Sequence, residues 1–255
     1  MNPGSRHVLV TGASRGIGRG VAEAFAREGH ALTLLADDES VHSVAAQIAR
    51  EIGAEVEARC CDITDADALA RAFNDIRPID VLISNAGIEL PTPLDDGSAE
   101  THRRFARIID VNVTGTWQVM RAALPHLMDG GSVVVTASIW GRTAVPGFSA
   151  YVASKHALIG LTRTWSRELA ARGIRVNAVC PGWVRTEASM ASLDWMAEQE
   201  GRSVGELLAE IEAGQSLPGL MEPDDIAGLY VYLASSAAHG LTGQAIPVDR
   251  GEVMA

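Results

Sequence analysis

The sequence predicts an α/β fold, a single domain built on a doubly wound, seven-stranded parallel sheet, and three observations predict it. Short apolar runs alternate with longer segments of helical periodicity, the pattern of a parallel sheet covered on both faces. Glycines and isolated polar residues recur just after the carboxyl ends of those runs. The chain has 255 residues, 47% hydrophobic and 21% charged, which suits one sizeable core and is short for two domains.

The elements follow in order. A strand is expected over residues 7–10, where His-Val-Leu-Val precedes a glycine-rich turn, and a helix over 16–28. The apolar run 31–35 gives the second strand, and the helical periodicity that follows gives a helix over 41–52. A strand at 56–61, a helix at 66–76, a strand at 81–84, a helix at 110–128 and a strand at 132–137 continue the alternation. The chain closes with a helix at 150–171, a strand at 175–180, a helix at 223–234 and a strand at 245–248. There is no internal repeat or linker. The one departure is 185–219, long and rich in Met, Glu and Ser, which is expected to be a substrate-binding lid within the domain.

Composition narrows the function. The net charge of -11, with basic residues scattered, argues against nonspecific binding to nucleic acid or to an anionic membrane. No apolar run is long enough to cross a bilayer, and the opening residues lead directly into an apolar strand, so a cytoplasmic protein is expected. Cys60, Cys61 and Cys180 have neither disulfide-framework nor zinc-ligand spacing and are expected to be small buried apolar residues.

Gly12, Asp37, Asp62, Asn85 to Gly87, Ser138 and the pair Pro181 and Gly182 all follow predicted strands. In open parallel sheets that edge is where ligands bind. The turn Thr11-Gly12-Ala13-Ser14-Arg15-Gly16-Ile17-Gly18 joins the first strand to the first helix, where backbone N–H groups and the helix dipole favour an anion such as a pyrophosphate. Tyr151 and Lys155 stand four apart on a predicted helix, so phenol and ammonium share a face. A neighbouring cation is expected to lower the tyrosine pKa and so poise a proton donor and acceptor. Such a pair alone also arises by chance, and a glycine-rich turn alone also serves tight packing.

The full set, Thr-Gly-x-x-x-Gly-Ile-Gly with Ser84-Asn85-Ala86-Gly87, Asn112, Ser138, Tyr151, Lys155 and Pro181-Gly182, resembles the short-chain dehydrogenase/reductase family over nearly the whole chain. The resemblance implies that Tyr151 is the general acid or base at the substrate oxygen and that Ser138 holds that oxygen. It implies that Lys155 tunes the tyrosine and bonds the nicotinamide ribose, and that Asn112 holds a water in a proton path. Cofactor contacts are implied for Gly12, Ser14, Arg15, Gly16, Ile17, Gly18, Asp37, Asp62, Ile63, Asn85, Ala86, Gly87, Tyr151, Lys155, Pro181, Gly182, Val184 and Thr186. No metal is implied, and a homotetramer is. Two positions depart from the family pattern: Ser84 stands where another Asn is usual, and Arg250 replaces a glycine in Val248-Asp249-Arg250-Gly251.

The acids Asp37 and Asp38 follow the second strand, where an acid binds a ribose 2'-hydroxyl and repels a 2'-phosphate. NAD is therefore expected over NADP, although Arg15 in the glycine turn is of a kind seen in NADP enzymes of the family. By the same resemblance the substrate pocket takes Glu89, Ser138, Trp140, Phe148, Trp183 and Met190, with Leu90 and Trp195 nearby. The segment from Val179 to Thr186 resembles 3-hydroxybutyrate dehydrogenases, but Glu89, Trp140 and Phe148 stand where those enzymes carry carboxylate-binding Gln, His and Lys. A neutral or cationic hydroxyl compound, aromatic or polyol in character, is expected. The rival readings are an NADPH-dependent ketone reductase, a 3-hydroxybutyrate dehydrogenase-like enzyme, and a nucleotide-sensing scaffold without catalysis.

Overall fold

A computed structural model describes residues 5–254. Its seven strands are β1 (His7–Thr11), β2 (Ala31–Ala36), β3 (Val56–Cys60), β4 (Ile79–Ser84), β5 (Leu127–Thr136), β6 (Arg175–Pro181) and β7 (Ala245–Val248). They form one parallel sheet in the order β3-β2-β1-β4-β5-β6-β7. The order reverses between β1 and β4, so the carboxyl ends of those two strands splay their following segments apart and open a crevice.

Helices cover both faces. On one side α1 (Gly16–Arg27), α2 (Ser40–Ile52) and α9 (Pro223–Ala234) pack on β1, β2 and β6 through Val21, Phe25, Val41, Ile48, Ile226 and Tyr230. On the other side lie α3 (Ala66–Phe73), α4 (Ala99–Ile109), α5 (Thr116–Ala123) and α6 (Ser149–Glu168), whose core residues include Leu69, Phe73, Val119, Leu158 and Trp165. Central strands therefore bury both faces, which is why they read as continuous apolar runs. Each fully buried large side chain contributes about 1.5–3 kcal/mol.

Two sequence expectations need correction. The helix expected over 110–128 begins earlier, at Ala99, and ends at Ala123, and β5 starts at Leu127. Its first half was hidden because α4 is polar, burying only Thr101 and Ile108. Between α4 and α5 the chain winds as a π-helical segment, Asp110–Gly115, which carries Asn112. The stretch 185–219 is also more regular than expected. It forms α7 (Glu187–Glu200) and α8 (Val204–Gly214), each begun by a reciprocal cap, Thr186 with Ser189 and Ser203 with Glu206. Leu193, Ala197 and Leu207 of these helices join Ile139, Trp140, Phe148, Trp183 and Leu220 in a third, smaller core. Cys61 and Cys180 are buried as expected, but Cys60, at the end of the edge strand β3, is exposed.

Arg250 has an account in the structure. It is the only non-glycine among the described residues with a left-handed backbone, at φ 55°. Its guanidinium donates to the Pro218 carbonyl (2.9 Å) and lies 3.7 Å from Asp225, while its own carbonyl accepts from the Ser216 and Leu217 amides. The residue thus ties the end of α8 to the start of α9, which offsets a strained conformation that glycine would adopt freely.

Candidate functional site

The carboxyl edge of the sheet holds a cleft of about 250 Å³. At one end is the turn from β1 to α1. Gly12, at φ 64°, lies so close to the chain after β4 that a Cβ there would stand 2.8 Å from the Ala86 Cα. Thr11 locks the two segments together, its hydroxyl accepting from the Asn85 and Ala86 amides (3.0 and 3.1 Å) while the Asn85 side chain donates to the Thr11 and Gly12 carbonyls. Gly12, Ser14, Arg15, Gly16 and Ile17 line the cleft, as do Asp37, Asp62, Ile63, Asn85, Ala86, Gly87, Pro181, Gly182, Val184 and Thr186. A bare backbone at a helix N-terminus, kept bare by glycines with no room for a side chain, fits a dinucleotide pyrophosphate.

Gly18 is a correction: it does not line the cleft. A Cβ at Gly18 would fall 2.1 Å from the Gly12 carbonyl oxygen, so this glycine lets α1 pack onto the turn rather than meeting a ligand.

Charges at this end are arranged in pairs. Asp38 accepts from the Ser14 hydroxyl (2.8 Å), from the Ser40 amide and hydroxyl, and from Arg15 at 3.5 Å. The Ser40 and Ser14 hydroxyls hold its carboxyl below the usual range. Arg15 therefore faces an anchored anion, with Glu187 4.0 Å away on its other side. Asp62 is opposed by burial but held low by Thr64 and by Arg107, whose guanidinium lies 3.0 Å from it.

At the other end stand Ser138, which follows β5, and Tyr151 and Lys155 on α6. Ser138 and Tyr151 line this end together, and the Ser138 hydroxyl accepts from the Trp140 amide at 3.1 Å. The Lys155 ammonium donates to the Thr136 carbonyl (3.0 Å) and lies 5.3 Å from the centre of the Tyr151 ring. Glu89 lines the same end of the cleft.

The expected lowering of the tyrosine pKa is not found. Burial, and then the charge of Glu89, push Tyr151 well above its ordinary value, against the Ser138 hydrogen bond. Burial also brings Lys155 down to about 8 in spite of Glu89. Glu89 itself is raised by burial.

A family model of the enoyl-(acyl carrier protein) reductase type matches residues 12–252. The oxidoreductase UcpA of Salmonella typhimurium is 36% identical over 254 residues, covering 96% of this chain and 94% of that protein. The chain belongs to the short-chain dehydrogenase/reductase family. The D-beta-hydroxybutyrate dehydrogenase of Cupriavidus necator is 33% identical, with 96% of each chain covered. The solved structure of carveol dehydrogenase from Mycobacterium avium in complex with NAD superposes with a TM-score of 0.87 at 28% identity, covering 97% of each chain.

Within this short-chain dehydrogenase, several expected site residues lie elsewhere. Asn112 does not line the cleft. Its side chain accepts from the Ile88 amide (2.8 Å) and donates to the Ile88 carbonyl (2.9 Å) and the Ser154 hydroxyl (3.0 Å), so it clamps the segment beside Glu89 onto α6. Phe148 is fully buried and supports the pocket wall from behind, its ring 5.4 Å from Trp140 and 5.3 Å from Trp195. Met190 and Leu90 also lie outside the lining, whereas Trp140 and Trp183 form it, packed edge to face. Sequence reasoning missed Arg107 and Glu187, which also line the cleft. Arg107 carries no motif, while Glu187 could have been found from its place at the start of a capped helix beside the glycine turn.

Proposed function

We propose that this short-chain dehydrogenase interconverts a secondary alcohol and a ketone using NAD, with Tyr151 carrying the proton. The observation that supports it most is the convergence of the Ser138 and Tyr151 hydroxyls and the Lys155 ammonium on one end of a cleft whose other end is the glycine turn. A nicotinamide dinucleotide, when bound, supplies the two-electron acceptor or donor. Ser138 fixes the substrate oxygen, and Tyr151 takes its proton in oxidation or gives one in reduction. Lys155, held by the Thr136 carbonyl, orients the ribose and the phenol. Asn112 is a positioning residue. Helices α7 and α8 act as the lid over the substrate end.

NAD is favoured over NADP because Asp37 lines the cleft and Asp38 engages Arg15, the one basic residue of the glycine turn. The substrate is neutral or cationic, because a carboxylate would meet Glu89, which lines the cleft with Trp140 and Trp183. The likeness to a hydroxybutyrate dehydrogenase favours a hydroxy acid instead, and efficient turnover of 3-hydroxybutyrate would decide for it. A homotetramer belongs to the same reading, supported by the exposed Phe105, Trp117 and Leu124 on α4 and α5, and so does a cytoplasmic location.

Replacing Tyr151 by Phe tests the reading. Turnover should fall by about 10²–10⁴-fold while NADH binding, followed by fluorescence titration, is kept. Unchanged turnover would remove Tyr151 from the reaction, and a scaffold without catalysis would show binding but no turnover in either form.

A further inference from the structure

Three basic side chains line the cleft, Arg15, Arg107 and Lys155, and Arg107 on α4 is the one with no part in the proposed reaction. Its guanidinium closes a ring of hydrogen bonds with the turn after β3. Nη2 donates to Asp62 Oδ2 (3.0 Å) and Nη1 to the Thr64 hydroxyl (2.9 Å), which in turn donates to Asp62 Oδ1 (2.8 Å). The Thr64 amide adds a second bond to Oδ1 at 2.8 Å. Both oxygens of Asp62 are therefore tied, each to a different partner, and the carboxylate cannot turn to follow a ligand. A carboxylate has about four acceptor positions; Thr64 fills both on Oδ1, Arg107 fills one on Oδ2, and one on Oδ2 is left. Against the burial that would raise it, Thr64 and Arg107 hold the carboxyl low, so at neutral pH it accepts and does not donate. The turn is seated as closely as its side chain: a Cβ on Gly115 would stand 2.8 Å from Ile63 Cγ1.

Strand order says what this carboxylate meets. A dinucleotide with its pyrophosphate at the turn after β1 and its nicotinamide toward Tyr151 and Lys155 sends its adenosine the other way, across β2 to β3. With strands about 4.8 Å apart, the end of β3 lies about 10 Å from that of β1, past Asp37 and the ribose. There Ile63 and Val111 give the cleft apolar walls and Asp62 gives it an acceptor. We propose that Arg107 is a positioning residue for coenzyme selection: by holding the Asp62 carboxylate still, it makes the site take a 6-aminopurine dinucleotide and reject the 6-oxopurine counterpart. A 6-amino base offers an N–H on its exocyclic nitrogen. A 6-oxo base offers a carbonyl oxygen there and an N–H on the neighbouring ring nitrogen. A carboxylate able to turn would follow that N–H and bind both bases, whereas a fixed one meets the carbonyl and repels it. The inference rests on a nicotinamide dinucleotide lying in the cleft, and not on Tyr151 being the proton carrier.

The test is a fluorescence titration of the full-length protein with NADH and with reduced nicotinamide hypoxanthine dinucleotide, which differs only in carrying the 6-oxo group. The wild type should bind NADH more tightly by about tenfold or more, the scale of one hydrogen bond to a charged group. Arg107→Ala should bring the two affinities within about threefold of each other, by weakening NADH and strengthening the hypoxanthine form. Arg107→Lys should fall between, since one ammonium cannot bridge Asp62 and Thr64 as the guanidinium fork does, and it carries the test if thermal unfolding shows the alanine variant to be unfolded. Asp62→Asn should lose the preference with Arg107 in place, and adding Arg107→Ala to it should move the ratio no further. Equal binding of the two coenzymes by the wild type overturns the proposal. So does an Arg107→Ala variant that weakens both by one factor, because Arg107 would then serve the fold alone. A further fall in the ratio on top of Asp62→Asn also overturns it, since Arg107 would then meet the base itself. No step of the titration involves turnover, so failure of the proposed reaction, read from Tyr151→Phe, is seen separately.

Discussion

The two ends of the cleft are built by different means. At the dinucleotide end the surface is mostly backbone, shaped by contacts so close that a single methyl group has no room, as at Gly12 and Gly18. At the substrate end it is mostly side chain, with Glu89, Trp140 and Trp183 brought from three separate segments beside a small aromatic core. The first kind of surface tolerates almost no substitution and so can serve one ligand only. The second can change its ligand by exchanging one side chain, since nothing in the fold depends on the carboxylate of Glu89. Fold and chemistry are thus held constant at one end while selectivity is free to drift at the other.

Three substitutions or conditions would break or sharpen that contrast. The largest effect is expected from Gly18→Ala, whose Cβ must displace the Gly12 carbonyl: thermal unfolding and NADH titration should show a loss of several kcal/mol in stability and a weakening of binding by more than about tenfold. Wild-type values for both would mean that the turn is softer than its contacts imply. Next comes pH. Lys155 binds its proton more weakly when folded, at about 8, than in the unfolded chain, so between pH 8 and 9 the unfolded chain holds more protons and stability should rise with pH. The slope is at most about 1.4 kcal/mol per unit, reverses above pH 9 where the unfolded thiols of Cys61 and Cys180 ionise while burial holds both at about 11 in the folded chain, and the rising part should vanish in Lys155→Met as followed by urea unfolding. A slope that survives the substitution would assign the effect to another group. The smallest effect is expected from Asp38→Ala, which frees Arg15. The ratio of NADPH to NADH affinity should rise by about tenfold, the scale of one charge-assisted contact. An unchanged ratio would leave Asp37 as the sole discriminator.

How much was legible in the sequence follows the same division. The seven strands, the glycine turn and the Tyr151 and Lys155 pair were readable because each depends on local spacing: a buried strand is an apolar run, and two residues four apart on a helix share a face. Ser138 was joined to that pair only through the family resemblance. Helix α4 was missed because it is polar overall and buries only Thr101 and Ile108, so its periodicity is carried by charged residues rather than by an apolar stripe. The assignments of Phe148 and Met190 to the pocket surface failed for another reason. Whether a large apolar residue near a cleft faces it or props it from behind depends on which neighbour reaches the surface first, here Trp140 in front of Phe148. The raised Tyr151 pKa was out of reach for the same cause, since it comes from burial and from Glu89, which lies 62 positions upstream. Arg250 looked anomalous as a letter and became intelligible only with the Pro218 carbonyl beside it.

The π-helical segment Asp110–Gly115 has one more consequence. A π turn accommodates an extra residue within a helix that would otherwise run without interruption, at some cost in packing. Asn112 lies within that turn and meets both Ile88 and Ser154 from it. Deleting one residue there would leave a more regular helix from Ala99 to Ala123 and swing one side of the junction by about 100° relative to the other, so the clamp would no longer close.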